Sequence, residues 1–187
     1  LINNFCYNII TYNMGRNGIL IILGIDPGYA IVGWGVVGYN ANRFSVLNYG
    51  AVTTCAGVKF SSRLCSIYSE IDEIMKKHKP DAVAIEKLYF NTNTTTAIDV
   101  AQARGVILLA AIHNNIPIFV YIPLQVKSAV TGYGRAEKKQ VMDMIKNILR
   151  LEKIPKPDDT ADALALAVCH AHSSGSIYGK LSSGGSI

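Results

Sequence analysis

The sequence predicts an α/β fold: a mixed five-stranded sheet, its first three strands antiparallel, flanked by helices on both faces. Three observations lead there. Short apolar runs rich in β-branched residues, ILIILGID and DAVAIE, read as strands buried on both sides. Other stretches repeat their apolar residues at three and four, the spacing of an amphipathic helix. Finally, three consecutive strands precede an alternation of strands and helices, which implies a mixed sheet with helices packed on its faces.

Taken in order, ILIILGID is too brief for a helix and forms a central strand ending near Asp26. YAIVGWGVVGY and RFSVLNYGAVTT, separated by NAN, continue the sheet as a hairpin. From Phe60 to His78, Leu64, Ile67, Tyr68, Ile71, Ile74 and Met75 trace one helix face, and Lys79-Pro80 ends it. DAVAIE is a buried strand closing at Glu86; the polar NTNTTT leads into a helix from Ala97 to His113, and IPIFVYI is the last strand. PLQVKSAVTGYG is a short helix running into a glycine-bearing loop, AEKKQVMDMIKNILRL is amphipathic, and prolines open the final helix in PKPDDTADALALAVCHAH.

The 187 residues suit one domain. Residues 1–19, rich in Asn and Tyr, have no signal-peptide pattern and are expected to add no function; 20–172 is the working domain; the Ser/Gly-rich 173–187 reads as a disordered tail. No apolar run reaches the roughly 18 residues of a membrane span, so no membrane partner is expected. Lys and Arg number 18 against 13 Asp and Glu, a surplus that suits a polyanion without identifying one. Cys6, Cys55, Cys65 and Cys169 are scattered without zinc-site spacing, which favours a reduced, cytoplasmic setting. His170 and His172, two apart on a helix, point in different directions and are not read as metal ligands.

Acids at the ends of buried strands need a reason, because an ionised carboxylate is costly to bury unless it is paired or ligates a metal. Asp26 closes the first strand and Glu86 the fourth, and this topology sets those strands side by side with their ends at one edge. Asp159 and Asp162 are three apart, hence on one helix face, while Ala163, Leu164 and Ala167 can dock that helix on the sheet. Four clustered carboxylates repel one another, and hard cations such as Mg²⁺ take oxygen ligands in this number. Two such ions about 4 Å apart serve phosphodiester displacement in nucleases and polymerases. Singly, each acid has a plainer reading: Asp26 shaping the turn at Pro27-Gly28, Glu86 as a solvated strand end, and one of Asp158, Asp159 and Asp162 stabilising a helix N-terminus. Those readings are independent, whereas one metal site accounts for all three elements.

Four segments, GIDPGYAIVGWGVV, AIEKLYFNTNTTTAIDVAQARG, PLQVKSAVTGYGRAEKKQV and PDDTADALALAVCHAH, are distributed between Leu20 and His172. In content and order they resemble the RuvC family of Holliday-junction resolvases, crossover junction endodeoxyribonucleases with an RNase H-like fold. The resemblance implies that Asp26, Glu86, Asp159 and Asp162 are the catalytic, metal-binding acids, with Asp159 rather than Asp158 three residues before Asp162. It implies two Mg²⁺ per site, replaceable by Mn²⁺, and a homodimer that nicks two strands of like polarity in a four-way junction, leaving 5′-phosphate ends. It also implies partnership with the RuvA and RuvB branch-migration proteins in recombination and repair. Lys87 stands where many relatives carry Glu or Gln, and its cation would either weaken metal binding or meet a phosphate.

The resemblance places an aromatic that stacks on a base near the junction point at Tyr89, and Phe90 would either stack or pack. Asn91, Thr92, Asn93 and Thr94 offer amides and hydroxyls to phosphates or base edges. Lys127, Arg135, Lys138 and Lys139 form the densest basic stretch; the resemblance carries DNA binding onto Lys127 and Lys138, and Gly132 and Gly134 would let backbone approach a phosphate. Arg104 is open between a phosphate contact and a structural ion pair, and Ala101, Gly105 and Leu108 make a dimer surface. Two rivals stand beside this reading. GIDPG also fits the phosphate loop of actin-like ATPases and sugar kinases, although this length has room for one such domain, not two. The other is a nucleic-acid-binding module without activity.

Overall fold

A computed structural model describes residues 18–88 and 94–182. It contains β1 (Leu20–Asp26), β2 (Ile31–Asn40), β3 (Arg43–Thr53), α1 (Phe60–His78), β4 (Ala82–Glu86), α2 (Thr94–His113), β5 (Ile118–Tyr121), α3 (Pro123–Thr131), α4 (Lys138–Ile148) and α5 (Asp158–Ser182). The expected order of elements is the observed one. The sheet runs β3-β2-β1-β4-β5, antiparallel across its first three strands and parallel from β1 to β4 to β5. A two-residue turn joins β2 to β3, with Ala41 and Asn42 both at positive φ (45° and 62°), the twist a tight hairpin requires.

Strand alternation divides the core in two. Leu23, Ile25, Val83 and Ile85 face α1 and α2, where Ile67, Ile71, Met75, Ala103 and Ile107 cover them. Ile22, Val37 and Ala84 face the opposite side, under Val126 and Val130 of α3, Ile145 of α4, and Leu164, Ala167 and Val168 of α5. Asp26 and Glu86 stand two residues beyond Gly24 and Ala84, so both belong to the α5 side.

Two expectations change. Over Thr96–His113, α2 is long and apolar enough, by length and composition alone, to cross a membrane. Its apolar residues divide between two faces: Ala103, Ile107, Ala110 and Ala111 enter the core, while Ile98, Leu109 and Ile112 are exposed. At the other end of the chain α5 runs on to Ser182, well into the stretch whose composition suggested a disordered tail. Serines at its start do not break the helix, because Ser173 Oγ donates to Cys169 O (2.8 Å) and Ser174 Oγ to Ala171 O (2.8 Å), returning each hydroxyl to the preceding turn.

Candidate active site

Parallel pairing of β1 with β4 aligns Ile25 with Ile85, so the next residues, Asp26 and Glu86, leave the sheet together at one edge. The strand end at Glu86 is held from both sides. Lys87 N–H donates to Tyr121 O (2.8 Å), and Arg104 Nε donates to Glu86 O (3.2 Å). Arg104 therefore binds a backbone carbonyl, which neither of its expected roles included. With Lys87, Leu88, Val120 and Ile122 it also lines a cavity of about 590 Å³ beside the strand end. The turn after Asp26 is fixed by Arg63, whose guanidinium donates to Tyr29 O (3.1 Å) and Thr54 Oγ1 (2.8 Å) and lies over the Tyr29 ring.

The other two acids arrive on α5, and glycines set how close it comes. Gly33 lies opposite Asp26 and Gly35 opposite Gly24. A Cβ on Gly33 would fall 2.0 Å from Asp159 O, and one on Gly24 would fall 1.9 Å from Ala163 O. No side chain fits there, so the helix backbone rests directly on the strands. Thr160, fully buried, fastens the first turn by donating its hydroxyl to Gly50 O (3.1 Å). Asp159 and Asp162 then overlie the edge that carries Asp26 and Glu86.

The electrostatics register this convergence. Burial, reinforced by Asp162, Glu86 and Asp159, pushes the Asp26 carboxyl up to about 8, only partly countered by Lys138. Glu86 is raised by burial and by Asp162, against Lys127 and Lys138. Asp162 is also raised, chiefly by burial, although Lys138 Nζ stands 3.1 Å from its Oδ2. Burial alone would lower Lys138, but the hydrogen bond to Asp162 and the fields of Asp162, Asp158 and Asp159 hold it above the ordinary lysine value. Asp158 behaves differently: a 2.6 Å hydrogen bond from Lys156 Nζ keeps its carboxyl low. It is absent from the groups acting on Asp26, whereas Asp159 is among them, which favours Asp159 as the cluster's member.

A divalent cation suits this donor set. The converging groups are carboxylates, a hard-oxygen set, and burial first, with mutual repulsion second, raises the proton affinity of Asp26, Glu86 and Asp162, so a bound cation would relieve both costs. Among the described residues no three His, Cys, Asp or Glu side chains form a ready-made cage, so the acids would have to close on the ion.

Of the residues expected on DNA, Tyr89, Phe90, Asn91 and Asn93 lie outside the described residues. Lys127 is half-buried and acts on Glu86; Arg135 and Lys139 are exposed; Lys138 pairs with Asp162 and, at 3.6 Å, with Asp158. Sequence reasoning missed Gly24, Gly33, Arg63 and Thr160, which position the acids without bearing chemistry. The glycines left a signal, since Gly24, Gly33 and Gly35 interrupt otherwise β-branched strands, as glycine does where another backbone approaches.

A family model described as "Crossover junction endodeoxyribonuclease RuvC" matches residues 22–170. Two curated proteins of that name are similar over most of their length. The one from Alkaliphilus metalliredigens is 60% identical over 82% of this chain and 94% of its own, and that from Ruminiclostridium cellulolyticum 56% over 86% and 98%. Among solved structures, Thermus thermophilus RuvC in complex with Holliday junction substrate superposes with a TM-score of 0.79 at 35% identity, over 83% of this chain and 94% of that one. The yeast mitochondrial resolvase Ydc2, 14% identical with a TM-score of 0.60 over 82% of this chain and 80% of its own, shares the fold.

Proposed function

The chain belongs to the RuvC family of crossover junction endodeoxyribonucleases, and from that premise we propose that it resolves four-way DNA junctions by metal-dependent phosphodiester hydrolysis at the Asp26, Glu86, Asp159 and Asp162 cluster. The observation that carries this reading is the aligned end of β1 and β4, which sets Asp26 beside Glu86 under the acids of α5.

In this reading the four acids hold Mg²⁺, two ions per site, with Mn²⁺ able to substitute. When bound, the metal supplies a Lewis acid that activates water for attack on the phosphodiester and stabilises the leaving oxygen. The chain prepares for this in its own way. Asp26, raised by burial and its neighbouring acids to about 8, would have to give up its proton to act as a ligand, which couples metal affinity to pH. Lys138 gives Asp162 a counter-charge, and with Lys127 it presents an ammonium at the rim where a strand's phosphates would pass. Glycine seats under α5 and the Thr160 hydrogen bond keep the acids from spreading under mutual repulsion.

Symmetric nicking needs two such sites, and a homodimer would provide them. The exposed apolar residues of α2, Ile98 (65%), Leu109 (46%) and Ile112 (53%), share a face with Ala101 and Gly105. A Cβ on Gly105 would meet nothing within 4 Å, so a partner helix can approach closely there. Leu108, expected on this surface, packs against the core instead, and Leu109 takes its place. Paired nicks in strands of like polarity, ligatable 5′-phosphate ends, action with RuvA and RuvB, and work on cytoplasmic DNA complete the proposal. The free thiols of Cys55, Cys65 and Cys169 agree with a reducing compartment.

The test is cleavage of a labelled mobile four-way junction and its matching linear duplex, each with Mg²⁺ and with EDTA. Wild type should nick opposite arms of the junction only with metal, Asp26→Asn and Asp159→Asn should fall at least about a hundredfold, and Asp158→Asn should stay within about tenfold of wild type. Binding of the junction without cleavage under every metal tried would instead describe a silent binding module. Cleavage by Asp159→Asn but not Asp158→Asn would mean the wrong aspartate has been placed in the site.

A further inference from the structure

We propose that Tyr133 is a further substrate-contacting residue, a platform on which an unpaired base at the strand-exchange point stacks, and that it helps the enzyme discriminate a junction from duplex DNA. The inference rests on the junction-cleaving reading of the acid cluster.

Tyr133 is 60% exposed. Its backbone, in contrast, is tightly held. α3 ends at Gly132 in the left-handed conformation (φ 76°), whose N–H donates to Ser128 O (2.9 Å). Tyr133 N–H donates to Thr131 Oγ1 (3.2 Å), and the Thr131 hydroxyl has both Lys127 O (2.9 Å) and Tyr133 O (3.0 Å) within donating distance. Gly134 lies flat on α3, where a Cβ would sit 2.9 Å from Leu124 and 3.0 Å from Ser128, and Ala136 is buried in the core. A rigid loop clamped on both sides thus presents one large ring to solvent. A rigid aromatic is suited to recognition because little conformational freedom remains to be lost on binding.

The ring's position gives the recognition its object. Lys127, six residues before Tyr133, acts on Glu86, and Lys138, five residues after it, reaches Asp162 at 3.1 Å. Both ends of this segment therefore border the acids, and Arg135, also exposed, adds a third cation. Cations at such a rim track phosphates, while an aromatic face among them offers stacking to bases without demanding a sequence. Bases inside a duplex already have both faces covered; bases at a crossover can expose one. Stacking on Tyr133 would consequently favour the junction selectively, where phosphate contacts alone would favour any DNA.

Fluorescence anisotropy of a labelled junction and its matching duplex, in EDTA to prevent cleavage, tests this with wild type, Tyr133→Phe and Tyr133→Ala. Loss of the ring should weaken junction binding by about tenfold and duplex binding by less than about twofold, with Phe close to wild type. A fluorescent aminopurine placed at each base flanking the exchange point should be quenched by wild type at one position and not by the Ala variant. Equal loss on junction and duplex, or unchanged junction affinity in the Ala variant, would overturn the proposal. Should the Ala variant fail to melt cooperatively, the wild-type aminopurine scan decides alone: no quenching at any position also overturns it. If wild type itself does not prefer the junction, the cleavage reading fails first, which the wild-type arm reveals before any variant is compared.

Discussion

The carboxyl of Asp26 lies beside three other acids on a half-buried strand end, and its proton affinity is the clearest single consequence. A carboxyl raised from 3.8 to about 8 in the folded state binds its proton more tightly there than in the unfolded chain. Without metal, the folding stability of wild type should therefore rise as pH falls from about 8 toward the ordinary Asp range, and lose that contribution above it. Asp26→Asn removes the charge at every pH, so its advantage is largest above pH 8 and shrinks on acidification. Thermal melting in EDTA should place the variant about 4 °C or more above wild type near pH 9, with a smaller gap near pH 5. A variant less stable than wild type at the higher pH would contradict the clustered-acid reading. This is stability given up for function, since the burial and the mutual repulsion that destabilise the ionised acid are both offset by a bound cation. Asp26 could be picked from the sequence because an acid ending a buried strand is anomalous; that its affinity reaches about 8 depended on which groups the fold brought to it.

At the scale of the element, α5 carries two of the acids, and its height above the sheet is fixed by glycines on β1 and β2. Gly33→Ala puts a methyl 2.0 Å from Asp159 O and 2.8 Å from Thr160 N, so the first turn of α5 must move. A displacement on the order of 1 Å at a catalytic group costs roughly a hundredfold in rate. We expect cleavage to fall by about that factor while junction affinity, proposed to rest on Lys127, Lys138 and Tyr133 and not on Asp159, stays within about twofold. A rate near wild type, measured under single-turnover conditions, would show that the seat does not position Asp159. The helix itself was legible in the sequence from its small-residue face and the prolines before it. Its seat was not, because a glycine's purpose lies in the backbone that approaches it, here from more than a hundred residues away in the chain. The extension of α5 to Ser182 escaped composition for a related reason: serine reads as a tail residue until its hydroxyl is seen returning to the helix.

Across the whole molecule, the sheet places the acid edge and the outer face of α2 on elements joined through β4, and the proposed dimer relates two such edges. Leu109→Glu introduces a charge into the exposed apolar face and should convert dimer to monomer, as read by light scattering behind size exclusion. The monomer should nick junctions singly instead of in pairs. A variant that remains dimeric would move the interface to another face.

The sequence by itself determined the order of elements, a mixed sheet flanked by helices and four candidate acids, because periodicity and the cost of burying charge act through local residue type. Tertiary structure decided what depends on approach between distant segments. It aligned Ile25 with Ile85, laid α5 in a glycine trough, tied Arg104 to the Glu86 carbonyl, turned Leu109 outward in place of Leu108, and put Lys138 against Asp162. Those facts turn on distances of a few ångströms between residues far apart in the chain, and only a packed core fixes such distances.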